Sequence, residues 1–233
     1  MTTTRADTTT AASASSSPVR SDLAVLFDLD GVIVDSREFH LAAWERWARD
    51  AGVDADEGYF HGVFGLRNDA IIGGLLPDIA PRDLARHADR KEALFRELAR
   101  GNLVALPGVR ELLDALDAVS VPRAVVTSTP RANLAMVLET LGLEGRFQAL
   151  VAEEDAAKGK PDPEGFLSAA ARLAVEPARC VVIEDAPAGV RAAKAGGMRA
   201  IAVTTTRPAA DLSEADLVAA SPGDGAVRAF ILG

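Results

Sequence analysis

From Pro107-Gly108 to its end the chain alternates short apolar runs with amphipathic helical stretches, and few architectures accept that pattern. Helices are expected near 109–118, 131–141, 163–173 and 187–195, and strands near 123–126, 148–152, 180–183 and 199–203. Unbroken apolar runs of this length suit strands covered on both faces, as in a parallel sheet with helices on either side. One further run, 23–27, comes much earlier and ends abruptly in Asp28-Leu29-Asp30-Gly31. The expected fold class is therefore α/β, a Rossmann-like parallel-sheet core whose first strand is separated from the rest.

The separating stretch is helical. Asp35 is expected to open a helix, with Glu38 three residues on in capping-box register. Pro81 begins a long amphipathic helix over 81–100, and Gly101 follows it. No convincing strand pattern occurs there. The expected organisation is a core from 21–35 and 106–233, interrupted by an α-helical cap at 36–105. Residues 1–20, rich in Thr, Ser and Ala, read as a disordered extension that cannot bury enough surface to fold. An organelle transit peptide is the alternative there. The segment lacks the apolar centre of a secretory signal.

With 233 residues, 48% of them hydrophobic, one core and a smaller insert are within reach. Lys and Arg total 25 against 34 Asp and Glu, a net charge of −9, which argues against nucleic acid as a partner. No apolar run approaches the roughly 20 residues of a membrane-spanning helix. The single cysteine, Cys180, lies in an apolar run and cannot form an internal disulfide, which fits the cytoplasm. A monomer or weak dimer is expected.

In open parallel sheets, ligands bind beyond the carboxyl ends of the strands. The polar residues at those ends are Asp28 and Asp30, then Thr127, Ser128 and Thr129, then Lys160, then Glu184 and Asp185. Each alone has a plain structural use. Asp185 would cap the helix that Pro187 begins, Asp162 the one at Pro163, and Thr129 the one after Pro130. Together they place several carboxylates, hydroxyls and one cation on a common rim. Carboxylates so crowded repel unless a cation neutralises them, and an all-oxygen set favours Mg2+ over zinc. A transferring phosphoryl group needs such surroundings.

These residues, in this order, resemble the haloacid dehalogenase superfamily. The matching pieces are Phe27-Asp28-Leu29-Asp30-Gly31-Val32, Val126-Thr127-Ser128, Lys160-Pro161-Asp162-Pro163 and Glu184-Asp185-Ala186-Pro187-Ala188-Gly189-Val190, and they span nearly the whole chain from about Asp22. The resemblance implies that Asp28 attacks phosphorus to form an aspartyl-phosphate. Asp30 would protonate the leaving oxygen and then activate water. Thr127, Ser128 and Lys160 would hold phosphoryl oxygens, and Asp28, the Asp30 carbonyl and Asp185 would hold Mg2+, with Glu184 beside it. The second aspartate, Asp30, distinguishes this pattern from the family's dehalogenases. No GxxxxGK[ST] occurs, which removes the Walker-type alternative.

The helical insert resembles the small cap of the β-phosphoglucomutase and sugar-phosphatase branch. His40 and Trp44, four apart on one helix face, together with Arg67 and Lys91, are the candidate substrate contacts from the cap. Trp44 and Trp47 have an alternative as cap core, and Arg67 and Lys91 as solvated charges. The expected function is a magnesium-dependent phosphatase for small sugar or polyol phosphates. A sugar phosphomutase is the alternative, and a non-catalytic phosphometabolite-binding protein the remote one. Ala215-Asp216-Leu217-Val218 also resembles the closing strand of the phosphatases.

Overall fold

The computed structural model describes residues 22–63 and 66–233, so the extension expected at 1–20 lies outside the described residues. The strands are β1 (Ala24–Phe27), β2 (Arg123–Val126), β3 (Ala149–Val151), β4 (Cys180–Glu184), β5 (Arg199–Val203) and β6 (Leu217–Ala219). All pair in parallel, in the order β3-β2-β1-β4-β5-β6.

Residue alternation builds the layers on either face. Val25 and Phe27 of β1 enter one buried cluster, while Ala24 and Leu26 enter the other. The first cluster takes in Leu113 of α5 (Val109–Ala118), Val137 of α6 (Arg131–Leu141) and Val227 of α9 (Gly225–Leu232). The second takes in Phe166 of α7 (Glu164–Arg172) and Val190 of α8 (Pro187–Ala195). Leu113 and Ile183 are completely buried, each contributing about 1.5–3 kcal/mol relative to exposure.

The strand order reverses at β1. From β1 the chain builds β2 and β3 on one side, then returns to lay β4, β5 and β6 on the other. At such a reversal, the connections leaving β1 and its neighbour diverge and open a crevice beyond the strand ends.

Between β1 and α5 lie α1 (Arg37–Ala51), α2 (Glu57–Val63), α3 (Asn68–Leu75) and α4 (Pro81–Ala99). The two connections to this insert run side by side. The Leu106 N–H donates to the Ile33 carbonyl at 2.9 Å, and Val34 forms an antiparallel bridge with Ala105. Trp44, Trp47, Leu94 and Phe95 are buried where α1 lies along α4, and the Trp44 ring stacks on Phe60 at 5.5 Å. Among the described residues no helix is long and apolar enough to cross a membrane.

Several expectations need correction. The Asp35/Glu38 capping box does not form. Ser36 occupies the cap position of α1 without making a side-chain cap bond, because its hydroxyl donates to the Asp30 carboxylate instead. Residues β3 and α7 are each shorter than expected by a residue at either end, the range over which element ends fray. The C-terminal helix α9 was not anticipated, although Asp224 accepts from the Ala226 N–H at 3.0 Å and Val227 and Ile231 stand four apart.

Candidate active site

The crevice beyond β1 and β4 holds the predicted groups. Asp28 follows β1 directly, and Glu184 and Asp185 end and follow β4; all three are buried. A carboxylate oxygen from each lies within 4.8 Å of the others. Two glycines make this crowding possible. At Gly31, φ is +83° and a Cβ would fall 2.2 Å from Asp185 Oδ2; at Gly189, one would fall 1.8 Å from Glu184 Oε1.

Lys160 enters from the loop before α7 and bridges two of these carboxylates. Its ammonium donates to Asp28 Oδ1 at 2.5 Å and to Glu184 Oε1 at 2.6 Å. Glu184 Oε2 also accepts the backbone N–H groups of Asp185 and Ala186, at 2.9 and 3.0 Å. The cap expected of Asp185 does not form: Ala186 stands at the cap position of the helix that Pro187 begins, and no side chain caps it. Thr206 donates to Asp185 Oδ2. None of these bonds uses Asp28 Oδ2 or Asp185 Oδ1.

The electrostatic consequences follow from that geometry. Burial raises the Asp28 carboxyl well above the usual carboxylate range, and Glu184, Asp185 and Asp30 reinforce it against the opposing Lys160 charge. Burial, then the Glu184 charge, pushes Asp185 up to about 7. The Lys160 ammonium moves up too, because the Asp28 and Glu184 charges outweigh its burial. One cation does not neutralise three crowded carboxylates. The donors are all oxygen, two of their oxygens are open, and two of the acids are held back from ionising. A hard divalent cation fits this donor set, and Asp28 and Asp185 are the residues that would hold it.

Asp30 stands apart from that cluster. Ser36 donates to its Oδ1, Thr129 to its Oδ2 at 3.1 Å, and His40 Nε2 lies 3.6 Å from Oδ1. Burial alone would raise this carboxyl, but His40, Ser36 and Thr129 more than offset it, so its pKa is lowered. Thr129 therefore does not cap α6; Pro130 stands at that position. The other ring nitrogen of His40, Nδ1, is 2.8 Å from Lys91 Nζ. An ammonium has only protons to offer, so Nδ1 accepts and the ring proton sits on Nε2, toward Asp30.

Asp28, Asp30, Thr127, Ser128, Glu184 and Asp185 line one cavity of about 150 Å³ with His40, Trp44, Arg67 and Lys91 from the insert. Lys160 reaches the same floor through Asp28. Thr127 Oγ1 accepts the Thr129 N–H at 3.1 Å, which points its hydroxyl proton elsewhere. Trp44 serves in both of its expected capacities, packed in the insert and lining the cavity. Lys91 is not a solvated charge, being buried and paired with Glu92 at 2.8 Å, whereas Arg67 is partly exposed and pairs with Glu153 at 2.8 Å.

Sequence reasoning missed Ser36, Thr206, Glu92, Glu153 and Asn133, and placed Thr129 on the rim with Thr127 and Ser128, or as a cap, without its Asp30 partner. Thr206 was findable, since it lies in the loop that leaves β5 at Val203. The others are polar residues in helices or turns, and only tertiary placement turns them inward.

A family model for haloacid dehalogenase-like hydrolases matches residues 23–197. The chain is 35% identical over 193 residues to validoxylamine A 7'-phosphate phosphatase of Streptomyces hygroscopicus subsp. limoneus, covering 83% of this chain and 91% of that one. It is 34% identical over 195 residues to hexitol phosphatase A of Escherichia coli K12, with 83% and 88% covered. The crystal structure of β-phosphoglucomutase from Clostridium difficile superposes with a TM-score of 0.78 at 27% identity, over 89% of this chain and 95% of that one. That model spans most of the chain, and both named relatives are 34% identical or more over most of its length, so the chain belongs to the haloacid dehalogenase-like hydrolases.

Proposed function

We propose that this chain is a magnesium-dependent phosphatase that hydrolyses small sugar or polyol phosphates through an aspartyl-phosphate on Asp28. The observation that carries this reading is the division of labour between two aspartates. Asp28 sits among Lys160, Glu184 and Asp185 with one oxygen open, while Asp30, two residues on, is held separately by Ser36, Thr129 and His40.

In this reading one carboxylate oxygen of Asp28 attacks phosphorus while the other would face the metal, and the bond to the leaving sugar oxygen breaks on the far side. Lys160 and the Thr127 and Ser128 groups hold the non-bridging oxygens. Asp30 takes up a proton once the phosphate's charge lies beside it, delivers that proton to the departing oxygen, and then takes one back from the water that opens the acyl phosphate. Mg2+, held by Asp28 and Asp185, supplies charge neutralisation for the phosphoryl oxygens. The helices 36–105 act as a cap that limits which alcohols, and how much water, reach the phospho-enzyme. The phosphatases among the relatives support this substrate class. The setting is the cytoplasm, as a monomer or weak dimer; the Cys180 thiol, pushed by burial up to about 11, needs no oxidising partner.

The test is p-nitrophenyl phosphate turnover. Slow hydrolysis with Mg2+ is expected in the wild type and none in Asp28→Asn; full activity in that variant removes the nucleophile assignment. A mutase is the second reading, favoured by the likeness to the Clostridium difficile enzyme. Phosphorus NMR with β-glucose 1-phosphate separates the two. Inorganic phosphate supports hydrolysis, and glucose 6-phosphate with little free phosphate overturns it.

A further inference from the structure

The cap end of the cavity carries two cations that a second phosphate on the substrate could use, and both are already matched by carboxylates of this chain. Lys91 Nζ donates to Glu92 Oε1 at 2.8 Å, with the two side chains 3% and 7% exposed. Arg67 Nη2 meets Glu153 Oε1 at 2.8 Å, and Arg67 Nε lies 3.7 Å from Asp69. Two cations therefore face three carboxylates. Arg207 enters the lining from the core, one residue after Thr206, and is not without a partner of its own.

From this we infer that Glu92 and Glu153 are specificity-determining residues, which restrict the site to substrates with one phosphate and a neutral, hydroxyl-bearing tail. The inference rests on the phosphatase reading of the same site. Lys91 already donates to Glu92 and contacts His40, so a second phosphate there would set its charge against a buried carboxylate whose other donors are Asn68, at 2.8 Å, and Asn133. Like charges brought together in so buried a place repel strongly. A phosphate on Arg67 would meet Glu153 in the same way, and Glu153 already feels the Glu92 charge. A sugar hydroxyl disturbs neither pair, because it donates to a carboxylate and accepts from an ammonium at once. Transfer of phosphate between two hydroxyls of one sugar passes through a bisphosphate, so the same two carboxylates also disfavour a mutase cycle.

Binding is measured in Asp28→Asn with Mg2+, by calorimetry, using fructose 6-phosphate and fructose 1,6-bisphosphate. The monophosphate is expected to bind at least about tenfold more tightly, since like charges brought together cost several kcal/mol. Adding Glu153→Gln or Glu92→Gln is expected to shrink that ratio severalfold. Glu153 is partly exposed, so Glu153→Gln carries the test if Glu92→Gln does not fold. Equal or reversed affinities, binding of neither sugar, or a ratio unmoved by Glu153→Gln overturns the inference. The readout needs no turnover. A wild type that releases no phosphate from any sugar phosphate instead overturns the hydrolytic reading and leaves this measurement standing.

Discussion

Asp28 and Asp30 stand two residues apart yet live under opposite conditions. Burial and neighbouring carboxylates lift the first, and hydrogen bonds with His40, Ser36 and Thr129 lower the second. Asp30 is therefore anionic before substrate arrives, and serves as an acid only after a phosphate dianion beside it raises its proton affinity. The need for that proton depends on the leaving group, because nitrophenolate departs unaided and a sugar alkoxide does not. In Asp30→Asn, kcat/KM for a sugar phosphate is expected to fall by about 10²–10⁴. For p-nitrophenyl phosphate it should fall much less, since kcat/KM reports the phosphorylation half alone. Equal losses on both substrates would remove the acid role. A second residue-level outcome follows from Gly189: Gly189→Ala drives a methyl into Glu184 Oε1, displacing the carboxylate that Lys160 holds. Activity should be lost with at most a modest change in the thermal midpoint; wild-type kcat would show that Glu184 can move without consequence.

At the scale of elements, α4 of the insert and α6 of the core are joined by a buried polar link. Asn133 donates to Glu92 and accepts from Arg96 Nη1 at 2.6 Å, and Asn133 is completely buried. Asn133→Ala leaves a buried carboxylate and a guanidinium short of a partner, costing about 1–3 kcal/mol. Urea unfolding should show the lower stability, and an unchanged midpoint would mean that the link contributes nothing net. This link also marks where reading the sequence stops. The strands of the core were legible because β1, β2, β4 and β5 are short, unbroken apolar runs, and the groups after them were legible because strand ends open into the crevice. Lys160 was found the same way. Ser36 and Asn133 were not, and Thr129, though placed on the rim, was not given its partner, since each is a small polar residue near a helix start, where local hydrogen bonding is the commoner use. Their actual partners, Asp30 and Glu92, lie up to 99 residues away in the chain. No periodicity encodes such a pairing. Glu92 and Glu153 were passed over for a related reason: an acid next to a lysine, or in a turn, reads as solvated until a cavity wall is known to run past it.

For the molecule as a whole, the crowded carboxylates couple stability to pH and to metal. Asp185 titrates near 7 in the folded chain, and Asp28 is raised as well, whereas both have ordinary values when unfolded. The folded state then binds more protons than the unfolded state between about pH 4 and 7. The Asp185 contribution to the stability of the metal-free protein is therefore present below about pH 4 and lost as pH rises through that window, and Asp28 acts in the same direction. A divalent cation reverses the sign. It binds only the folded site and competes with the Asp185 proton, so its apparent affinity climbs about tenfold per pH unit up to 7 and then levels. Each tenfold is about 1.4 kcal/mol at fixed, near-saturating Mg2+, or roughly 3–6 °C in thermal midpoint for a chain of this size. Melting curves with and without 5 mM Mg2+, a concentration of the order of ~10⁻³ M suited to weakly held hard cations, should show a larger increment at pH 8 than at pH 5.5. Asp185→Asn should abolish most of the increment at both. An increment of equal size at the two pH values would mean that proton and metal do not compete for this side chain. The neutralisation that lets a phosphate approach so acidic a floor would then have to come from Lys160 alone.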